Sequence, residues 1–295
     1  MKGMQAIRTR IRAVKNTAQI TRAMELVASS KMKKAQDSAL GSRLYACELA
    51  ALFHAVTQQI PLESIQHPFL EERPVQHRGI LLITPDKGLC GSLNQNLLRT
   101  LLTLPKTTRF IAIGRKGVQF LSHCHSDILA HFNCPDTIKF QQIQTVVHFL
   151  LEAFENKQID TIEVLFPRFK NTLVQEPTLR HLFPMTDLKS EVQKLQEWAG
   201  AQTTINAKAN DTHFIIEPNG KTILERLPIL FLKKTLYQIL LESKASEHSA
   251  RMVAMKGATD NAESLIQTLQ LEYNKARQAG ITQEIVEISA SQHTA

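Results

Sequence analysis

The residue types with a claim to chemistry lie in the middle of the chain. Gly88-Leu-Cys-Gly91 follows an apolar run and precedes a helix-length segment. Backbone N–H groups in such a loop can cradle a phosphate. The spacing matches neither GxGxxG nor GxxxxGK[ST], so a tight strand-to-helix turn that needs two glycines is the plainer reading. Gly114-Arg-Lys-Gly117 reads the same way. His123-Cys-His125, with His131 and Cys134 nearby, carries metal-capable side chains, but not at the spacing of a zinc ribbon or finger. Partly exposed loop histidines beside a buried cysteine are expected instead. No Ser/His/Asp or Cys/His grouping has a recognisable context, and the carboxylates are dispersed. The reading is therefore of a chain with no catalytic residue, no cofactor and no metal site of its own.

The elements around this middle are set by proline. All eleven prolines fall between Pro61 and Pro228, leaving sixty residues before them and sixty-seven after them with none. Proline breaks helix interiors, so both ends read as long helices, the first roughly 90 Å long at 1.5 Å per residue. In the first, Ile7, Ile11, Val14 and Ala18 form a heptad-like stripe. The stripe then moves to Ile20, Met24, Val27, Ala28, Met32 and Ala35, which predicts a seam that wanders around the helix. In the last, Met252, Met255, Ala258, Ala262, Leu265, Ile266, Leu269, Tyr273, Ala276, Ile285 and Ile288 keep helical spacing. Ser289–Ala295 loses the pattern and is expected to fray. Neither stripe can be buried alone, so the two end helices are expected to pair.

Between them the period changes. Gly79–Thr84, Arg109–Gly114 and Thr161–Phe166 are short apolar, β-branched runs that read as buried strands. Helix-length segments near 93–103, 115–123 and 142–156 alternate with them, predicting a mostly parallel sheet covered by helices. Thr172–Leu182 and His213–Glu217 are candidate edge strands. The fold expected is α/β: a long antiparallel coiled coil of N- and C-terminal helices plus a central Rossmann-like α/β domain. Its parts are an N-terminal helix over 1–60, a central domain over 76–218 and a C-terminal helix over 219–295.

Charge is placed unevenly. Residues 1–43 hold ten Lys or Arg against Glu25 and Asp37, which accounts for the whole net charge of +8. The remainder has 25 of each sign. Such a helix needs an acidic counterpart: nucleic acid, anionic lipid or acidic protein loops. The chain has one Trp and three Tyr, too few for an aromatic nucleic-acid platform. No run of eighteen uncharged apolar residues marks a membrane span, and no secretory pattern opens the chain. An Arg-rich, acid-poor start also fits a transit peptide, but it runs unbroken into helix. Four cysteines in this length point to reduced thiols. In the last helix Arg251, Asp260, Asn261, Asn274, Arg277, Gln278, Thr282 and Glu284 thread polar groups through small apolar ones. They read either as a solvated face or as a surface making changing contacts with something that encloses it.

Three blocks go further than periodicity. Thr17–Ala35 (TAQITRAMELVASSKMKKA) resembles the N-terminal signature of the γ subunits of F-type ATP synthases. Asp86–Asn94 (DKGLCGSLN) resembles that family's central motif. Ser246–Asn261 and Tyr273–Ile285 resemble its C-terminal signature. The resemblance implies a non-catalytic rotor: a coiled coil turning inside a ring of α and β subunits, with the α/β domain below joining the ε subunit and the membrane c-ring. It implies coupling contacts at Met24 and Lys31, and at Arg251, Arg277, Gln278, Thr282 and Glu284. It implies no nucleic acid partner and a peripheral place on the cytoplasmic face of a bacterial inner membrane. The alternatives are a basic coiled-coil nucleic-acid-binding protein and a nucleotide-dependent enzyme using the Gly88–Gly91 turn. Two departures stand out: the polar end after Glu287, and the atypical stretch from Phe110 to Asn210.

Overall fold

A computed structural model describes residues 2–59, 73–105, 107–184 and 219–292. The elements run α1 (Lys2–Gln59), β1 (Arg78–Ile83), α2 (Leu93–Leu101), β2 (Arg109–Ile113), α3 (Arg115–His123), β3 (Asp127–Phe132), α4 (Phe140–Glu155), β4 (Thr161–Phe169), β5 (Gln175–Phe183) and α5 (Gly220–Gln292). They divide into two compact units, one of Met1–Ser30 with Arg251–Ala295, the other of Lys31–Ala250.

The first unit is a helix pair. The hydroxyls of Thr21 and Thr259 lie 2.7 Å apart, and a Cβ on Gly280 would sit 3.7 Å from Met4 Cε. Rising number on α1 therefore meets falling number on α5, so the pair is antiparallel. On α1 the covered positions include Ile7, Ile11, Val14, Ala18, Thr21, Met24, Glu25 and Ala28. Apart from Met24 they step 4, 3, 4, 3, 4, 3, a regular heptad. Of the second expected set, Met24, Ala28, Met32 and Ala35 are covered, but Ile20 and Val27 are 61% and 56% exposed and the polar Thr21 and Glu25 take part in the seam. On α5, Met255, Thr259, Ala262, Ile266, Leu269, Tyr273, Ala276 and Gly280 continue the same alternation. Small residues recur in both seams, Ala18, Thr21 and Ala28 on α1 and Thr259, Ala262, Ala276 and Gly280 on α5.

The second unit is a five-stranded sheet in the order β3-β2-β1-β4-β5. The first four strands are parallel and β5 is antiparallel to β4. The pleat sorts the side chains. Leu81, Ile83, Ile111, Ile113, Val164 and Phe166 join the core formed with α4, α1 and α5. Ile80, Leu82, Phe110, Ala112 and Leu165 face Leu97 of α2 and Leu121 of α3. Burial on both faces is why these strands read as continuous apolar runs rather than alternating ones.

β3, a stretch whose sequence leaves strand or loop open, is an edge strand, half-exposed along its length, and so lacks a strong apolar signature. Two further expectations change. α5 begins eight residues before Pro228, which lies inside the helix, so proline does not mark that boundary. The same helix runs on through Ser289 to Gln292 rather than fraying there. Thr172–Leu182 does supply an edge strand, β5, whereas His213–Glu217 lies outside the described residues.

Candidate functional site

The glycine turns come first, because they sit where a nucleotide would. Gly114 has φ 98°, and a Cβ there would meet the Thr84 carbonyl oxygen at 1.8 Å. The Gly117 N–H donates to Thr84 Oγ1 at 2.8 Å. The Arg115 N–H, at the start of α3, donates to Asp86 Oδ1 at 2.9 Å. A carboxylate of the chain's own therefore fills the position where a phosphate would seat. In Gly88–Gly91 only one of the two glycines is conformationally required. Gly91 has φ 58°, but the other left-handed residue is Leu89, at φ 61°. Cys90 of this turn packs with Leu93 against Ala250 of α5, so the turn closes onto the long helix.

His123 ends α3, His125 follows it with φ 50°, and His131 lies on β3. Among the described residues no three His, Cys, Asp or Glu side chains converge as metal ligands. Cys134 is buried and Cys124 exposed. Burial pushes the Cys134 thiol up to about 11, so at neutral pH it is protonated and unreactive.

The polar surface of the helix pair is the next candidate. Met24 is half-buried beside the seam. Arg277, Gln278, Thr282 and Glu284 are exposed on α5, and Thr282 Oγ1 donates to the Gln278 carbonyl at 3.0 Å. Arg251 differs: it is only 9% exposed. Arg22 approaches Glu263 at 3.7 Å with both side chains mostly exposed, a pair that water and salt weaken. Lys33 and Lys34 project into solvent on α1.

Lys31 is placed differently from its basic neighbours. Its Nζ donates to Asp136 Oδ2 at 2.6 Å, in the loop between β3 and α4. That hydrogen bond, reinforced by the charges of Lys31, Lys244 and Lys87 and opposed by burial, holds the Asp136 carboxyl below the usual range. Two residues earlier on the loop, the Cys134 carbonyl accepts from Lys244 Nζ of α5 at 3.3 Å. Lys244 is also paired with Glu247 at 2.9 Å, and both side chains are almost wholly buried. Burial works against charge on Lys244, but its buried neighbours, the Glu247 carboxylate among them, leave its pKa above the ordinary value.

This group was not found by sequence reasoning. Asp136 stands in a Pro-Asp loop with no motif around it, and Lys244 looks like one more helix-surface lysine. Every residue from Gln238 to Ala250 is buried, although the segment includes Gln238, Glu242, Lys244 and Glu247. A helix enclosed on all sides by protein leaves no hydrophobic period to read.

A family model described as ATP synthase matches residues 3–294. An ATP synthase γ chain of Opitutus terrae is 46% identical over 295 residues, covering 100% of this chain and 99% of its own. That of Cupriavidus pinatubonensis is 40% identical over 296 residues, with 98% of each chain covered. Among solved structures, a chain in the Euglena gracilis mitochondrial ATP synthase OSCP/F1/c-ring assembly superposes with a TM-score of 0.68 at 19% identity. That match covers 99% of this chain and 94% of the other. A chain of the Tetrahymena thermophila mitochondrial central stalk and c-ring gives 0.59 at 23% identity, covering 81% and 99%. Both likenesses concern the fold.

Proposed function

This chain belongs to the family of ATP synthase γ chains, and from that premise we propose that it is the central stalk of such a synthase. It is a rotor subunit without an active site of its own. It couples ion-driven rotation of a membrane c-ring to ATP synthesis or hydrolysis in a ring of α and β subunits. The observation that carries this reading is the antiparallel pairing of the two termini, with basic and polar side chains turned outward. Exposed ionic contacts worth about 0–1 kcal/mol each suit a shaft that must exchange partners as it turns. A deep attraction to one position would stall it. Differential contact with the conformations of its neighbours is what transmits work.

In this reading Met24, with the exposed lysines beyond it, faces acidic loops of the catalytic subunits. Arg277, Gln278, Thr282 and Glu284 make the exchangeable polar contacts on α5. Lys31 and Arg251 join them only when the contacts that now hold them inside the chain are rearranged. The α/β unit meets the ε subunit and the c-ring. No helix among the described residues is long and apolar enough to cross a membrane, so attachment to the cytoplasmic face of a bacterial inner membrane runs through other subunits. The nucleic-acid reading has no support from the family.

Affinity purification of the tagged chain from its native host tests the role. One copy per three α and three β subunits is expected. An equimolar complex, or purification without either subunit, overturns it.

A further inference from the structure

Both long helices are fastened at one short loop. Within the α/β unit, α5 reaches the loop through Lys244, whose Nζ donates to the Cys134 carbonyl at 3.3 Å while paired with Glu247 at 2.9 Å. α1 reaches it through Lys31, whose Nζ donates to Asp136 Oδ2 at 2.6 Å. The two attachment points lie two residues apart, separated by Pro135, which fixes its own φ near −65°. The loop is rooted at both ends. Cys134 follows β3, which is hydrogen-bonded to β2, and its side chain belongs to the main core. After the loop comes α4, whose Ile143, Val147 and Leu150 fill that core.

Folding alone does not call for this arrangement. A buried lysine–carboxylate pair carries a desolvation cost that often exceeds its attraction, and apolar residues of similar volume commonly do as well. Here the pair lies within α5, so Glu247 orients Lys244, and the link to the loop is the bond from Lys244 Nζ to the Cys134 carbonyl at 3.3 Å. The apolar packing of α5 tolerates small slides and rotations, because one methyl contact resembles the next. A directional N–H···O bond does not. Lys244 sits at 3% exposure and Glu247 at 4%, so water cannot replace the contact. The Lys31–Asp136 pair is nearly half exposed, so other carboxylates can compete for Lys31.

We infer that the Cys134-Pro135-Asp136 loop is the joint that pins the rotational setting of α1 and α5 to the sheet, Lys244 permanently and Lys31 as a releasable contact. Asp136 is then a positioning residue for Lys31, and the loop adds directional links to the apolar packing that already joins both helices to the sheet. The inference rests on the reading of the chain as a turning stalk.

The test uses the complete synthase reconstituted in vesicles, with the ratio of ion-driven ATP synthesis to ATP hydrolysis as readout. Asp136→Asn is expected to lower that ratio roughly two- to fivefold, the range of one exposed ion pair. Asp136→Glu, which keeps the carboxylate, should restore most of it. Lys244→Met should lower the ratio further. Should Lys244→Met assemble poorly, Asp136→Asn alone decides. An unchanged ratio in a normally assembled Asp136→Asn complex overturns the joint, as does an Asp136→Glu complex that recovers none of the loss. Absence of the unaltered chain from the complex would instead overturn the stalk reading itself.

Discussion

Gln238 is fully buried on α5, and among the described residues neither its amide nitrogen nor its amide oxygen has a hydrogen-bond partner. An unsatisfied buried polar group costs about 1–3 kcal/mol, so Gln238→Leu should stabilise the chain by about 1 kcal/mol. Denaturant unfolding checks this; a lower midpoint would show that the amide has a partner after all. Glu163 is the opposite case. Its oxygens accept from Arg78 Nε at 2.8 Å and Nη2 at 2.6 Å. Burial raises its pKa, yet hydrogen bonds from His181 and Arg78 outweigh that and leave it below the ordinary 4.5. A depressed carboxylate contributes stability above its unfolded pKa and loses it as pH falls through the folded value. Glu163→Gln should therefore cost about 2 kcal/mol near neutrality, with the gap to the unaltered chain closing below pH about 4. A gap independent of pH would contradict the ion pair. Met24→Lys belongs to the same scale. It adds a cation beside the seam of the basic helix, and it should impair ion pumping per ATP more than hydrolysis. Unchanged pumping per ATP would place Met24 away from the acidic loops.

At the scale of elements, glycine separates two kinds of constraint. A methyl group on Gly280 would meet Met4 Cε at an ordinary 3.7 Å, so Gly280→Ala should add helix propensity of about 1 kcal/mol. At Gly114 both the positive φ and the Thr84 carbonyl oxygen oppose a side chain, and Gly114→Ala should cost roughly 3 kcal/mol. Thermal unfolding of both variants should shift in opposite directions. Elements were legible where one force dominated. β1, β2 and β4 are buried on both faces and announce themselves as apolar runs. β3 is half-exposed, and for that reason its sequence leaves strand or loop open. On α1 the sequence misplaced Ile20 and Val27, whereas Met24, Ala28, Met32 and Ala35 are covered. Exposed Ile20 and Val27 look more like core than Thr21 and Glu25, which occupy the seam. Hydrophobicity reports a residue's preference, and a helix pair with small seam residues does not always follow it.

For the whole molecule, the joint at Cys134–Asp136 carries the prediction that coupling and hydrolysis can be separated by a single carboxylate. The exposed candidates on α5 could be read from sequence because polar residues interrupt an apolar helix. The joint could not, since it unites positions 31, 134, 136 and 244 from three distant parts of the chain. The sequence by itself determined that two long helices flank an α/β sheet, that the basic charge lies on the first helix, and which family the chain resembles. Those properties follow from local periodicity, local charge and contiguous motifs. Only the tertiary structure decided which lysines are committed inside the chain and which stay free for partners. A lysine's role depends on whether folding brings a carboxylate or a carbonyl within hydrogen-bond distance, and nothing in its neighbours along the chain encodes that.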